Sequence, residues 1–270
     1  MKKIILMVLL MVLLGTGLLF GKIEYDNKLK LTAENAHAEL ELYNAKLAEE
    51  KRQAEENERQ RIEKLVSNLQ APLKEKILNA LAEQKPLKVV AMGSRALTGV
   101  EGSVPWPELL QDLVNDTYGQ KLFEVTTLAY GTKNTFDIVR NNHHLEVAEL
   151  QPDIFILEPF IWNDNGYARI EDTLYHIDVI VRAAARDNED LSIFIQPSNP
   201  IYGSTFFQQQ VERVKEHSLT NRLAFIDHWE AWPDPTEEQL KDLLVEEDTV
   251  PNQEGHSLWA KYLLKTFANE

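Results

Sequence analysis

The sequence contains no cysteine. Disulfides, thiolate metal ligands and a cysteine nucleophile are therefore excluded, and so is a lipid anchor carried on a cysteine. Basic residues are outnumbered, 28 Lys and Arg against 43 Asp and Glu, which leaves a formal charge of −15. That balance excludes nucleic acid as a partner, because phosphate binding needs a concentrated basic surface and no basic stretch supplies one. Proline and glycine are absent between residues 28 and 70, so nothing there interrupts a helix. The missing cysteine also fits an extracytoplasmic protein that makes no use of disulfides.

What is present begins with an apolar run. Lys2 and Lys3 precede residues 4–20, which carry no charge. A run of that length is at the short limit for a membrane span and also suits the core of a signal peptide. Cleavage wants small residues at alternate positions, but Gly15-Thr16-Gly17 is followed by Leu18-Leu19-Phe20. An uncleaved signal-anchor over 1–21 is the expectation, with a cleaved signal as the other reading. Lys2 and Lys3 would hold the N-terminus inside. The protein would then be single-pass in the cell membrane, with its C-terminal domain extracytoplasmic.

Residues 22–85 read as a helical stalk. Leu29, Ala33, Ala36, Leu40, Tyr43 and Leu47 alternate spacings of four and three, the heptad pattern. The seam fails where Glu50, Asn57 and Arg61 replace apolar residues. One reading is a short coiled coil that makes a homodimer. The other is a solvated spacer stiffened by i,i+4 pairs such as Glu55–Arg59. Pro72 and Pro86 bracket one more helix before the globular domain, expected over 86–270.

In that domain strand-like runs at 87–92, 122–128, 154–157, 191–196 and 223–226 alternate with amphipathic segments near 106–116, 136–149, 168–187, 205–218, 236–245 and 255–268. Helices between strands mean right-handed crossovers and a parallel sheet. Ile154-Phe155-Ile156-Leu157 has no polar alternation, as a strand buried on both faces requires. The expected architecture is α/β, a three-layer α/β/α sandwich on a five-stranded parallel sheet. Polar residues cluster after the strands, where such sheets place ligands: Ser94 and Arg95; Tyr130 to Thr135; Glu158 and then Trp162 to Gly166; Asp227 to Pro233; and Pro251 to His256.

These blocks, in this order, resemble those of the SGNH/GDSL hydrolases, whose flavodoxin-like sandwich matches the expected fold. The resemblance spans 87–268. Residues 89–99 take the place of the first block, 130–137 of the second, 162–166 of the third and 247–256 of the last. Asn163-Asp164 and Pro251-Asn252-x-x-Gly255-His256 are the more specific matches. The resemblance implies a serine nucleophile, a histidine base, and oxyanion donors from a glycine and an asparagine, hence an esterase acting on acylated surface carbohydrate or lipid. It implies no cofactor.

Several of those positions are altered. In the simplest register Ser94 stands where the family has aspartate, and Arg95 stands on the nucleophile. Val250 stands where the base should be, and the second-block glycine falls near Thr132, beside Gly131. Asn163 keeps its place as an oxyanion donor. Catalysis would need Ser94 displaced into the nucleophile's role and His256 as substitute base; otherwise Ser94 bonds turn backbone and His256 starts a helix. Arg95 would bind an anionic ligand beside Gly131 and Thr132, or bridge to Asp164 or Glu158. Glu247 and Asp248 compete for the family's aspartate. Asp227-His228 is a catalytic pair or a packed one. His143 and His144 lack convergent partners for a metal. Trp162, Trp229 and Trp232 are packing residues, or an apolar wall if exposed together. The competing functions are thus a membrane-anchored esterase, an inactive relative that binds a glycan or partner through the old cleft, and a structural protein in which the stalk matters most.

Overall fold

The structure, a computed structural model, describes residues 1–100, 102–245 and 249–269. The chain divides into two units, Met1–Arg61 and Ile62–Glu270, and each is described by itself. The first unit is helical and lies within α1, Lys2–Leu65, which is long and apolar enough near its start to cross a membrane. The polar part of this helix carries pairs such as Lys51–Glu55 at 3.8 Å and Arg52–Glu49 at 2.9 Å. Exposed pairs of this kind contribute only tenths of a kcal/mol each, about 0.3–0.5, so they stiffen the helix without fixing a tertiary position. Leu29, Leu40, Tyr43 and Leu47, the expected seam, are all solvent-exposed in the single chain.

The second unit continues with α2 (Ala71–Glu83), β1 (Leu87–Gly93), α3 (Trp106–Tyr118), β2 (Phe123–Ala129), α4 (Thr135–Arg140), α5 (Glu146–Leu150) and β3 (Ile154–Leu157). Then come α6 (Ile161–Asp164), α7 (Ile170–Ala185), β4 (Ser192–Ile195), α8 (Thr205–Thr220), β5 (Ala224–Phe225), the short strands β6 (Leu244–Val245) and β7 (Val250–Pro251), and α9 (Gln253–Phe267). The main sheet is parallel throughout, in the order β2-β1-β3-β4-β5. It is the expected five-stranded sandwich.

Alternation along the strands divides the core in two. Val89, Ala91, Ile154 and Ile156 face α2, α3 and α9. Val90, Met92, Phe155 and Leu157 face α7 and α8. Because β1 lies between β2 and β3, the chain leaves β1 in one direction and β2 in the other. The ends of β1 and β3 therefore open the crevice where such sheets place sites.

Three expectations change. The helix expected over 136–149 is two short helices, α4 and α5, separated by a 3-10 turn at His143–Leu145, because Asn142 adopts a left-handed conformation with φ +60. The helix expected over 236–245 is a 3-10 segment, Glu238–Leu243, running into β6, which pairs antiparallel with β7. Finally, the domain boundary expected at residue 86 moves back to Ile62. Val66, Leu73, Ile77 and Ala80 are buried in the core, and the C-terminus closes onto this segment through Asn269 N–H to the Leu65 carbonyl at 2.7 Å. Burying each large side chain contributes about 1.5–3 kcal/mol, so α2 is part of the domain and not of a stalk.

A fragment beginning at Ile62 is therefore expected to unfold cooperatively with nearly the full-length domain's midpoint. One beginning at Pro86 is expected to lose several kcal/mol, roughly the burial of three large side chains. Equal denaturant midpoints for the two fragments would return α2 to the spacer.

Candidate functional site

The turn after β1 is built on a close approach. A Cβ on Gly93 would stand 2.7 Å from Glu158 Oε2 and 2.6 Å from Leu97 Cδ1, so only glycine fits. Ser94 follows, and its N–H donates to Glu158 Oε2 at 2.6 Å. The Ser94 hydroxyl oxygen accepts the Ala96 N–H at 3.2 Å and so caps the 3-10 turn Arg95–Leu97. Only 2% of Ser94 is exposed, which leaves no room for an acyl group to reach its oxygen. Glu158 is completely buried, with Oε1 unpartnered. Burial pushes its carboxyl up, against the opposing pull of the Ser94 hydrogen bonds. A neutral carboxyl is the form such a site favours.

The turn after β2 meets this one. Tyr130 N–H donates to the Gly93 carbonyl at 2.9 Å, and Lys133 N–H closes the turn on the Tyr130 carbonyl at 3.1 Å, with Gly131 at φ +60. The Gly131 carbonyl then receives two donors. One is the Arg95 N–H at 3.0 Å, and the other is Asn163 Nδ2 at 2.9 Å. Asn163 Nδ2 also donates to the Lys133 carbonyl at 2.8 Å. An N–H at the nucleophile's position and an asparagine amide from the third block are two of the groups that would hold an oxyanion. Here both point at a carbonyl of the protein itself. Thr132, at the tip of the turn, is exposed.

Asn163 is brought to this place by Phe160, fully buried and left-handed at φ +59, which reverses the chain between β3 and α6. Such a conformation costs a bulky residue about 1–3 kcal/mol; complete burial of the ring holds it. Asp164, next along, is buried and takes the Thr135 N–H at 2.8 Å, the Thr135 hydroxyl at 2.7 Å and the Thr173 hydroxyl. Thr135 Oγ1 also lies 2.9 Å from His176 Nδ1. This network ties α4, α6 and α7 together at the strand ends. The Asp164 oxygens serve the backbone and hydroxyls of neighbouring elements. Arg95 is half-buried, with its guanidinium on the same turn.

The last block survives as a helix start. Asn252 accepts the Gly255 N–H at 3.0 Å and donates from Nδ2 to the Asp242 carbonyl at 2.7 Å. A Cβ on Gly255 would fall 2.5 Å from the Leu243 carbonyl, which explains the glycine. Val250, at the base's position, is 2% exposed and paired with Val245 across the β6–β7 bridge. Glu247 and Asp248 lie outside the described residues.

His256 is fully buried in the first turn of α9. Its Nδ1 accepts the Trp106 N–H at 3.3 Å, so the ring's lone pair is occupied and the proton sits on Nε2. Burial lowers its pKa to about 4, although the Thr98 carbonyl beside it favours the cation. The nitrogen that carries the lone pair is thus taken by the Trp106 N–H, while Nε2 is buried without a hydrogen-bond partner.

The remaining candidates are packing residues. Asp227 pairs with Lys215 at 2.6 Å, and His228 is buried between the Pro197 carbonyl at 2.9 Å and Trp232 Nε1 at 3.1 Å. It stacks on Trp259 at 4.1 Å, and burial lowers its pKa to about 3. Trp162 and Trp229 pack on Phe207, while Trp232 belongs to the opposite core, so the three form no common wall. His143 bonds Glu146 at 2.7 Å and His144 faces the Ile138 carbonyl. Among the described residues no group of three or more His, Asp or Glu converges to hold a metal ion. The sequence offered Glu158 only as a strand-end residue and a bridge partner for Arg95, not as the acceptor beneath the Ser94 turn, and gave no sign of the Thr135–Asp164 network. A charged residue directly abutting an all-apolar strand was the available clue to the first.

His256 should therefore stay neutral far below the ordinary histidine value of 6.5, titrating at about 4 by NMR. Because the unfolded chain binds that proton first, the ring's contribution to stability is complete above 6.5 and is lost as pH falls toward 4. A measured value near 6.5 would mean an accessible ring and reopen its use as a base.

No protein-family model matches the chain, and no curated protein sequence does so either. Solved structures do match. A protein from Desulfitobacterium hafniense classed as lipolytic and of the G-D-S-L family is 20% identical, with a TM-score of 0.56, covering 67% of this chain and 99% of its own. A catalytic mutant of an acetylxylan esterase from Geobacillus stearothermophilus is 14% identical, with a TM-score of 0.52, covering 68% and 95%. A GDSL-like lipase from Parabacteroides merdae is 10% identical, with a TM-score of 0.53, covering 68% and 96%. At such identities the likeness is one of architecture, and the globular unit has the SGNH/GDSL hydrolase fold.

Proposed function

We propose that this is a membrane-tethered, extracytoplasmic protein whose SGNH-fold domain no longer carries out acyl transfer and instead binds a surface glycan or a partner near the old cleft. One observation carries the reading. The Gly131 carbonyl sits on both the Arg95 N–H and Asn163 Nδ2, where an oxyanion would have to be held. A negatively charged oxygen entering there would have to expel a backbone carbonyl held by two hydrogen bonds. The altered positions point the same way. A guanidinium cannot attack a carbonyl, valine cannot take a proton, and Ser94 is closed off beside a buried Glu158 carboxyl that burial pushes toward its neutral form.

Tethering is supported by the uncharged run at 4–20 in a helix long enough to span a membrane. The glycan is suggested by the structural likeness to acetylxylan esterases. The polar helix that follows the apolar run serves as a spacer, and its apolar seam at Leu29, Leu40 and Leu47 would serve a homodimer.

A second reading is an acyl esterase, favoured by the esterases and lipases among the structural neighbours. It needs the Tyr130–Lys133 turn to swing the Gly131 carbonyl away and Ser94 to become exposed.

Two measurements separate these readings. A fluorophosphonate probe should leave the purified protein unlabelled, with p-nitrophenyl acetate turnover equal to that of Ser94→Ala; labelling that disappears in Ser94→Ala would establish the esterase, and its loss in His256→Ala as well would make His256 the base. The protein should also fractionate with membranes and be released only by detergent. A soluble form beginning near Lys22 would remove the anchor from the proposal.

A further inference from the structure

The turn that supplies the Gly131 carbonyl is itself held by a side-chain clasp. Tyr130, just before the glycine, donates its hydroxyl to Glu146 Oε2 at 2.8 Å. His143 Nδ1 meets the other oxygen of the same carboxylate at 2.7 Å, and its ring packs on the Tyr130 ring with centroids 4.6 Å apart. The His143 hydrogen bond is the main cause that holds the Glu146 carboxyl below its ordinary value, so the acceptor is a carboxylate and both bonds are charge-assisted. Burial, and then this carboxylate, push the Tyr130 hydroxyl up, which keeps its proton in place for donation. His143 and Glu146 belong to the 3-10 turn and the start of α5, so the clasp ties the turn to an element that carries neither Arg95 nor Asn163. The Glu146 side chain is 43% exposed, which leaves the clasp open to solvent.

Gly131 lies next to the clasp with φ +60, yet a Cβ built on it would meet nothing within 4 Å. Gly93 and Gly255 are glycine for want of space; Gly131 is glycine for its backbone. Both hands of conformation are open to it, so the chain can bend there without a clash. Thr132 and Lys133, which follow, are exposed and bury nothing that would resist the motion.

We propose, on the reading of the strand ends as a binding site, that the Tyr130–Lys133 turn is a self-closing strap, clasped at Tyr130 by Glu146 and hinged at Gly131. Closed, it keeps the Gly131 carbonyl on the Arg95 N–H and Asn163 Nδ2. Open, it hands these two donors to an anionic ligand oxygen, that of a carboxylate. An oxygen that takes both donors replaces the two bonds lost, so the clasp decides how far the balance favours the closed form.

The test follows hydrogen exchange at single residues by mass spectrometry, on the full-length protein in detergent. Tyr130→Phe removes the donor of the clasp. Glu146→Gln removes the charge of its acceptor at a half-exposed position, and so serves even where the tyrosine variant folds poorly. Each is expected to speed exchange of the Arg95 amide about tenfold or more, while Ile156 in β3 exchanges as before. Tyr262→Phe removes a similar bond elsewhere, from the Tyr262 hydroxyl to Glu230 Oε2 at 2.7 Å, and should leave Arg95 unchanged. Acetate at about 100 mM is the ligand probe, expected to slow Arg95 exchange in Tyr130→Phe. Arg95 exchange unaltered in both clasp variants would overturn the strap. So would exchange that rises equally at Ile156, or acetate without effect on the opened variant. Fluorophosphonate labelling of Ser94 that appears only in Tyr130→Phe would support the strap while overturning the silent domain, so the two readings fail separately.

Discussion

The strand-end region depends on one shared acceptor. The Gly131 carbonyl gathers the Arg95 N–H from the turn after β1 and the Asn163 amide from α6 after β3, so that three strand ends close on a single oxygen. Each bond is ordinary in length, 3.0 and 2.9 Å, and each contributes about 0.5–1.5 kcal/mol. Their importance is positional. With Asn163 also held by the Lys133 carbonyl, the turn after β2 cannot move without breaking contacts on both sides. The same constraint leaves both donors engaged by a carbonyl of the protein itself.

Beneath that closure lie two buried carboxyls with different solutions to burial. Asp164 is given a backbone N–H and two hydroxyls, which offset part of the desolvation that raises its pKa. Glu158 has the Ser94 N–H on one oxygen and nothing on the other, so burial dominates and the neutral acid is favoured. A neutral Glu158 can keep its place against the Gly93 backbone at a spacing no Cβ would tolerate. The turn after β1 is thus held by an acid from below and a carbonyl from the side.

Much of this was legible in the sequence and some was not. The sheet was readable because Leu87 to Met92 and Ile154 to Leu157 are unbroken apolar runs set between amphipathic segments, a pattern that only a covered parallel sheet satisfies. The placing of α2 was not readable, because Leu73 and Ile77 on a charged helix look alike whether they face a core or a coiled-coil partner. The 3-10 segment at Glu238–Leu243 and the β6–β7 bridge were hidden because helix and strand propensities there are overruled by tertiary pairing. At the site, the departures at Arg95 and Val250 were visible as letters. The meeting of the Arg95 N–H and Asn163 Nδ2 on the Gly131 carbonyl was not, because it is made by a backbone carbonyl and no side chain announces it.

The motif residues each have a structural role that follows from what they touch. Asn252 caps α9 and ties it to the Asp242 carbonyl, Gly255 lets that helix pass the Leu243 carbonyl, and Asn163 bridges two turns. Each of these has structural work that is independent of acyl transfer, and replacing any of them leaves a backbone group unpaired or forces a clash. The positions matching the nucleophile and base contribute through backbone and apolar contacts. Arg95 contributes its N–H to the turn, which any residue except proline would do, and Val250 fills an apolar bridge. The framework around these strand ends is therefore built by other residues than those at the positions matching the nucleophile and base.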